Sequence, residues 1–203
     1  MSQPSAVCGQ RLVPLQKVHD SDGGDVCVHE KYHALGAVIH DGVKREKRMQ
    51  EITFEKGNEQ HLKDCKDALC RSTLGEQYFS SPGSAENVIL EGICQGDLYV
   101  ALIGEECVGF TYIIPKGAFH SFPYLHIIAI KEEYRDKGIG KALLDYSECI
   151  AFETADKLFL VVADFNPDAK RFYERNCYRQ VGEISGLYRS EITEYLMVKE
   201  LKK

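Results

Sequence analysis

The segment Tyr134-Arg135-Asp136-Lys137-Gly138-Ile139-Gly140-Lys141-Ala142 follows an apolar strand pattern and opens an apolar helix pattern. The first amides of a helix have no intrahelical acceptor and lie at the positive end of its dipole, so such a junction binds phosphate well. Gly138 and Gly140 let the main chain approach a ligand closely. Three phosphate-binding patterns compete for this segment. A Walker A loop needs glycine at 135 and Ser or Thr after Gly140-Lys141, where Arg135 and Ala142 stand. A dinucleotide fingerprint wants a third small residue at Leu143 and a different strand order. The third pattern, Gln or Arg, then two residues, Gly, one residue, and Gly or Ala ahead of an apolar helix, is met by Arg135, Gly138 and Gly140. A second segment, Asn166-Pro167-Asp168-Ala169-Lys170-Arg171-Phe172-Tyr173-Glu174-Arg175-Asn176-Cys177-Tyr178, sets a side-chain cap and a preset first-turn proline before a short helix bearing a phenol.

These segments need a scaffold, and the pattern becomes regular from Met49 onward. Ile52 and Phe54 suggest a first strand. Asn58 caps a helix with Leu62, Cys65 and Leu69 on one face. A loop rich in Ser and Gly, with Tyr78 and Phe79, leads to a second helix whose Val88, Ile89 and Ile93 face inward. Leu98 to Leu102 and Cys107 to Ile114 read as a hairpin around Gly104, and Tyr124 to Ile130 as another strand. After the glycine turn comes a helix striped by Ala142, Leu143, Tyr146, Cys149 and Ile150. Leu158 to Ala163 is unbroken apolar, as a strand covered on both faces and parallel to its neighbour should be. A helix to about Arg175 and a final strand, Glu194 to Val198, complete an α+β order with one strand–turn–helix–strand crossover.

The loop at Arg135 to Gly140 resembles the pyrophosphate-binding loop of the GNAT superfamily, the acyl-CoA-dependent N-acyltransferases. The Asn166 to Tyr178 segment resembles that family's Asn-x-x-Ala-x-x-Phe-Tyr helix, and the separation of the two fits one helix plus one strand. The resemblance covers Met49 to Lys203. It implies an α/β/α fold with a mixed, mostly antiparallel central sheet and flanking helices. The fourth and fifth strands of that fold, here Tyr124 to Ile130 and Leu158 to Ala163, are parallel and splay apart. It further implies acetyl-CoA as cosubstrate. The pantetheine arm would pair with the backbone of Ile128, Ala129 and Ile130, and the diphosphate would rest on Asp136, Lys137, Gly138, Ile139, Gly140 and Lys141, with Ala142 close by. Asn166 would bond the cofactor arm while also capping its helix.

The same resemblance makes Tyr173 the general acid that protonates the departing thiolate. His126, on the fourth strand, is the expected general base, with Tyr124 on the same face; Glu132, Glu133 and His120 are weaker candidates. Cys177 stands where the family has a glycine that ends the helix in a left-handed conformation. Asn176 is expected to adopt that conformation instead, and Cys177 to pack rather than react.

Composition narrows the remaining classes. The chain has 203 residues, 44% hydrophobic and 28% charged, an ordinary balance for one globular domain. With 25 Lys+Arg against 31 Asp+Glu, the net charge is −6, which disfavours a general nucleic-acid binder; residues 44–48, KREKR, read as a solvated linker. Apolar runs are too short for a bilayer, mean hydropathy is −0.29 and no secretion signal is evident. A soluble cytoplasmic protein is expected, with its eight cysteines reduced. Cys27, His29 and His33, with His40 or Cys8, lack the paired spacing of structural zinc sites, so no metal is expected. Residues 1–48 form an N-terminal extension beyond the 49–203 acetyltransferase domain, and the whole acidic excess lies in the latter. The expected partner is an amine acceptor, a small molecule or a peptide or protein amine, with a homodimer possible and no membrane or nucleic-acid partner. The alternative is a non-catalytic acyl-CoA sensor working through protein contacts.

Overall fold

Strands form where apolar residues alternate, and helices where their spacing widens to three and four. The computed structural model describes residues 37–38 and 51–201. Its elements are β1 (Ala37–Val38), β2 (Glu51–Lys56), a 3-10 turn (Glu59–His61), α1 (Leu62–Cys70), α2 (Thr73–Tyr78) and α3 (Ser84–Gln95). There follow β3 (Leu98–Ile103), β4 (Glu106–Ala118), β5 (Phe122–Ile130), a second 3-10 turn (Glu132–Tyr134) and α4 (Ile139–Phe152). The chain ends with β6 (Lys157–Ala163), α5 (Pro167–Arg175), β7 (Arg179–Ser185) and β8 (Thr193–Glu200).

The strands make one sheet in the order β1-β2-β3-β4-β5-β6-β8-β7. Every neighbouring pair is antiparallel except β5 and β6, the two strands expected to run parallel. Alternation sends Val100, Phe110, Tyr112, Ile127 and Ala129 to the face where Cys65, Leu69 and Ile89 of α1 and α3 cover them. Ala101 and Val108 meet Ile139 and Leu143 of α4 on the opposite face. Ile113 and Leu125 pack there with Leu144 of α4 and Tyr173 of α5. Helices therefore flank the sheet on both sides. One polar contact crosses this core: the Thr111 and Ser147 hydroxyls lie 2.9 Å apart, and Ser147 Oγ donates to the Leu143 carbonyl at 2.7 Å, so neither group is buried without a partner.

Three elements differ from the sequence expectation. The loop expected around Tyr78 contains α2, whose first turn is capped by Ser72 Oγ accepting from Gly75 N at 3.0 Å. Gly75, which suggests a loop, instead allows close packing: a Cβ there would lie 1.9 Å from the Leu69 carbonyl oxygen. The edge strand β7 was not expected. Both of its faces are largely exposed, so its residues carry no apolar alternation. The third difference is the end of α5. Cys177, rather than Asn176, takes the left-handed conformation, at φ +68°. Cys177 N donates to Glu174 O and Tyr178 N to Tyr173 O, both at 3.0 Å, which is the Schellman pattern. Cys177 is exposed and loses no packing if trimmed. Cys177→Gly should raise stability by about 1 kcal/mol by relieving the left-handed Cβ penalty, seen as a higher urea midpoint at unchanged slope.

Among the described residues no helix is long and apolar enough to cross a membrane, and no group of His, Cys, Asp and Glu is arranged to hold a metal ion. Cys8, Cys27, His29, His33 and His40 lie outside the described residues. So does the 44–48 charge run.

Candidate active site

The parallel strands β5 and β6 pair at a single position, Tyr124 with Phe159. β6 remains bonded along its length to β8, and β5 to β4, so each strand turns an unpaired edge toward the gap. The cause of the divergence lies at His126. Tyr112 pairs with Ile127 and Ile113 with Leu125, leaving His126 as an extra residue on β5. A bulge of this kind bends its strand and increases the twist. The resulting cleft holds about 1090 Å³, at the upper end of small-molecule sites.

The bulge also fixes which backbone groups face the cleft. Lys131 N donates to Val108 O, and Ile130 is the partner of Gly109, so the antiparallel alternation turns Ala129 toward β4. Ile128 and Ile130 then present their N–H groups to the gap. Consistent with this, the Ile130 carbonyl accepts from Arg135 Nε at 3.2 Å. Arg135 also donates through Nη2 to the Arg71 carbonyl at 2.7 Å, joining the end of α1 to the loop.

At the mouth of the cleft, the loop enters α4 through two left-handed residues, Asp136 at φ +60° and Gly138 at φ +84°. The first helical bond runs from Ala142 N to Gly138 O at 3.1 Å. The amides from Asp136 to Lys141 donate to no carbonyl among the described residues, which leaves an anion-binding row at the positive end of a 14-residue helix. Gly140 lies against Ile130, where a Cβ would come within 3.0 Å of its Cδ1. Arg135, Asp136, Gly138, Gly140 and Lys141 line the cleft. Ile139 and Ala142 bury their side chains beneath it, Lys137 lies 5.3 Å over the Tyr134 ring, and Lys141 pairs with Asp145.

Asn166 lines the cleft opposite and caps α5 by accepting from Ala169 N at 3.2 Å. Tyr173, 7% exposed, is the buried residue of that helix and also lines the cleft. Its ring packs edge-on against Phe172 and Tyr178, and burial alone pushes its phenol well above the ordinary value. It is therefore a proton donor at neutral pH. His126 lines the cleft from the bulge, with its ring against Tyr112 and Tyr124 and a buried Nδ1 that has no hydrogen-bond partner among the described residues. Burial pulls its pKa below the ordinary histidine value, with partial opposition from Glu91, so the imidazole is neutral near pH 7. His120, Glu132 and Glu133 do not line the cleft.

Tyr78, Tyr124, Tyr188, Arg189 and Glu194 line the remaining wall. The sequence pattern marks Glu194 only as the start of the final strand. Its alternation with Leu196 and Val198 is the signal that a carboxylate here belongs to a strand with buried residues.

A sequence profile described as the acetyltransferase (GNAT) family matches residues 66–177. No curated protein matches the sequence. Among solved structures, PH1933 from Pyrococcus horikoshii is similar at TM-score 0.63 and 24% identity, over 75% of this chain and 100% of that one. Ard1 from Thermoplasma volcanium is similar at TM-score 0.62 and 19% identity, over 75% and 99%. Arabidopsis thaliana Naa50, in complex with the bisubstrate analogue CoA-Ac-MVNAL, is similar at TM-score 0.58 and 18% identity, over 73% and 98%.

Proposed function

Because the chain belongs to the acetyltransferase (GNAT) family, with more than half of it matched, we propose that it moves an acetyl group from acetyl-CoA to a primary amine by direct attack in a ternary complex. The observation that carries this reading is the cleft itself, where unpaired strand edges meet a row of free helix-start amides. The chemistry of the cofactor fits both ends. The amides of Asp136 to Lys141 suit a diphosphate, and the free edge of β5 suits an amide-bearing arm laid along it as an added strand. We assign the activity to residues 49–203, with residues 1–48 as an extension whose β1 joins the sheet beside β2.

Acetyl-CoA supplies an activated thioester when bound. Ile128 N–H or Ile130 N–H polarises its carbonyl and holds the developing oxyanion, which is worth about 3 kcal/mol per donor in acyl transfer. His126, neutral and lining the cleft, accepts the proton that the acceptor ammonium must lose before its lone pair attacks. As the new C–N bond forms and the C–S bond breaks, Tyr173 donates its phenolic proton to the thiolate, and the acylated nitrogen gives up its remaining extra proton, through water, to restore the phenol and leave the neutral amide. Asn166 offers its side-chain amide N–H to the arm while its oxygen caps α5.

A thiol-release assay with acetyl-CoA, screened against small amines and peptides with free N-termini, tests the reading. Release that depends on the amine is expected. The acid limb of its pH profile should lie below the ordinary histidine range, because His126 is active when neutral and burial lowers its pKa. Tight calorimetric binding of CoA with no amine-dependent release would replace the enzyme by an acyl-CoA sensor.

A further inference from the structure

Glu194 is 2% exposed, and no Lys, Arg or His forms an ion pair with it among the described residues. Its Oε1 accepts the Tyr78 hydroxyl, while its Oε2 accepts no hydrogen bond from any described residue. It lines the cleft with Tyr78, Tyr124 and Tyr188. A carboxylate largely withdrawn from water, with one oxygen left open to the cleft, favours the arrival of a cation there.

The surrounding charges favour such a cation. Asp164, across the strand end, adds a second negative charge and pushes the Glu194 carboxyl up, although burial does so more strongly; the Tyr78 hydroxyl opposes both. Asp164 is itself occupied in accepting from Thr193 N at 3.2 Å. The nearby cation, Arg189, lies 5.7 Å from the centre of the Tyr78 ring and makes no ion pair with Glu194. The wall is aromatic: Tyr78 meets Phe165 and Tyr188 at centroid distances of 5.7 Å, and the Tyr124 and Tyr188 hydroxyls share a hydrogen bond at 3.3 Å. Such rings favour an adjacent ammonium and its apolar carbons over an anion. Tyr124 also ties this wall to the reaction centre, since its phenol lies in the electrostatic reach of both Glu194 and Tyr173.

Resting on the N-acetyltransferase reading, we infer that Glu194 Oε2, oriented by Tyr78, anchors the acceptor's ammonium group, so that the acceptors are primary amines that arrive protonated and lay their adjoining carbons on Tyr78, Tyr124 and Tyr188. Tyr78 is a positioning residue in this arrangement: its hydroxyl fixes one carboxylate oxygen and leaves the other to the substrate. Acceptors with an anion next to the amine are disfavoured by Glu194 and Asp164 together.

The test measures binding separately from turnover. The full chain saturated with CoA is titrated calorimetrically with 2-phenylethylamine, spermidine and a pentapeptide with a free N-terminus, each at millimolar concentration and pH 7. Glu194→Gln, of equal size, should weaken the amine that binds by about tenfold or more, the loss expected for one charge-assisted hydrogen bond. Tyr78→Phe should weaken it severalfold, and CoA affinity should not change in either variant. Tyr78→Phe decides alone if Glu194→Gln fails to fold. In turnover, the loss should fall on KM for the amine. A loss confined to kcat, with a shifted acid limb, would make Glu194 the base and overturn the anchor. Equal amine affinity in wild type and variants overturns it too, as does failure of all three amines to bind. Amine binding that depends on Glu194 without thiol release would sustain the anchor while removing the transferase reading.

Discussion

Replacing Tyr173 with Phe is expected to lower kcat by about a hundredfold or more while leaving CoA affinity within a factor of two or so. The argument starts from packing. The Tyr173 ring is held edge-on by Phe172 and Tyr178, contacts that Phe retains, so the loss is confined to one hydroxyl. That hydroxyl makes no hydrogen bond within the described residues, so its removal should change stability by no more than about 1 kcal/mol. Its chemical value is the proton it holds. Burial raises its pKa, and the active form is the acid, which persists below that pKa; the wild-type alkaline limb should therefore begin above the ordinary phenol range. The variant must leave the thiolate to be protonated by water, and its residual rate should show no such limb. Steady-state kinetics across pH, with CoA calorimetry alongside, measure both effects. Unchanged kcat would remove Tyr173 from the reaction and leave it a packing residue.

The parts of this site that were legible in the sequence are those in which one local conformation demands a residue type. Gly138 must be left-handed, Gly140 must lie close to Ile130, and Asn166-Pro167 starts a helix by side-chain capping, so each leaves its mark within a few positions. The apolar run of β6 likewise announces a strand covered on both faces. What remained hidden depends on partners distant in sequence. The family resemblance already implies that the two parallel strands splay apart, but the residue at which they do is set by the β4 register, to which His126 is surplus, and nothing near position 126 states what β4 will present opposite it. Gly75 reads as a loop residue until α1 is laid beside it. Cys177 shows that a left-handed helix end is imposed by the hydrogen bonds of Tyr173 and Glu174 even where a glycine is missing. Glu194 and Tyr78 are 116 positions apart, and their meeting is a property of the finished sheet.

Gly140→Asp is expected to weaken CoA binding by about a hundredfold, or roughly 2.7 kcal/mol, with little effect on the fold. Position 140 lies in the first turn of α4, which carries no acidic residue, and a carboxylate near a helix N-terminus is itself stabilising by about 0.3–1 kcal/mol. The new Cβ would meet Ile130 Cδ1 at 3.0 Å, the end of a flexible side chain that can turn aside. The same carboxylate would satisfy the amides that otherwise await a diphosphate and would repel that anion directly. Gly140→Asn separates the two contributions, since it brings the volume and an amide oxygen without the charge; about tenfold is expected for it, with the remainder belonging to the aspartate. Because the charge component acts across a solvent-facing loop, it should shrink as ionic strength rises, whereas the volume component should not. Calorimetric titration of CoA into wild type and both variants at low and high salt measures this. If Gly140→Asp binds CoA as the wild type does, the amide row from Asp136 to Lys141 is not where the diphosphate rests, and the cofactor must enter the cleft by another mouth.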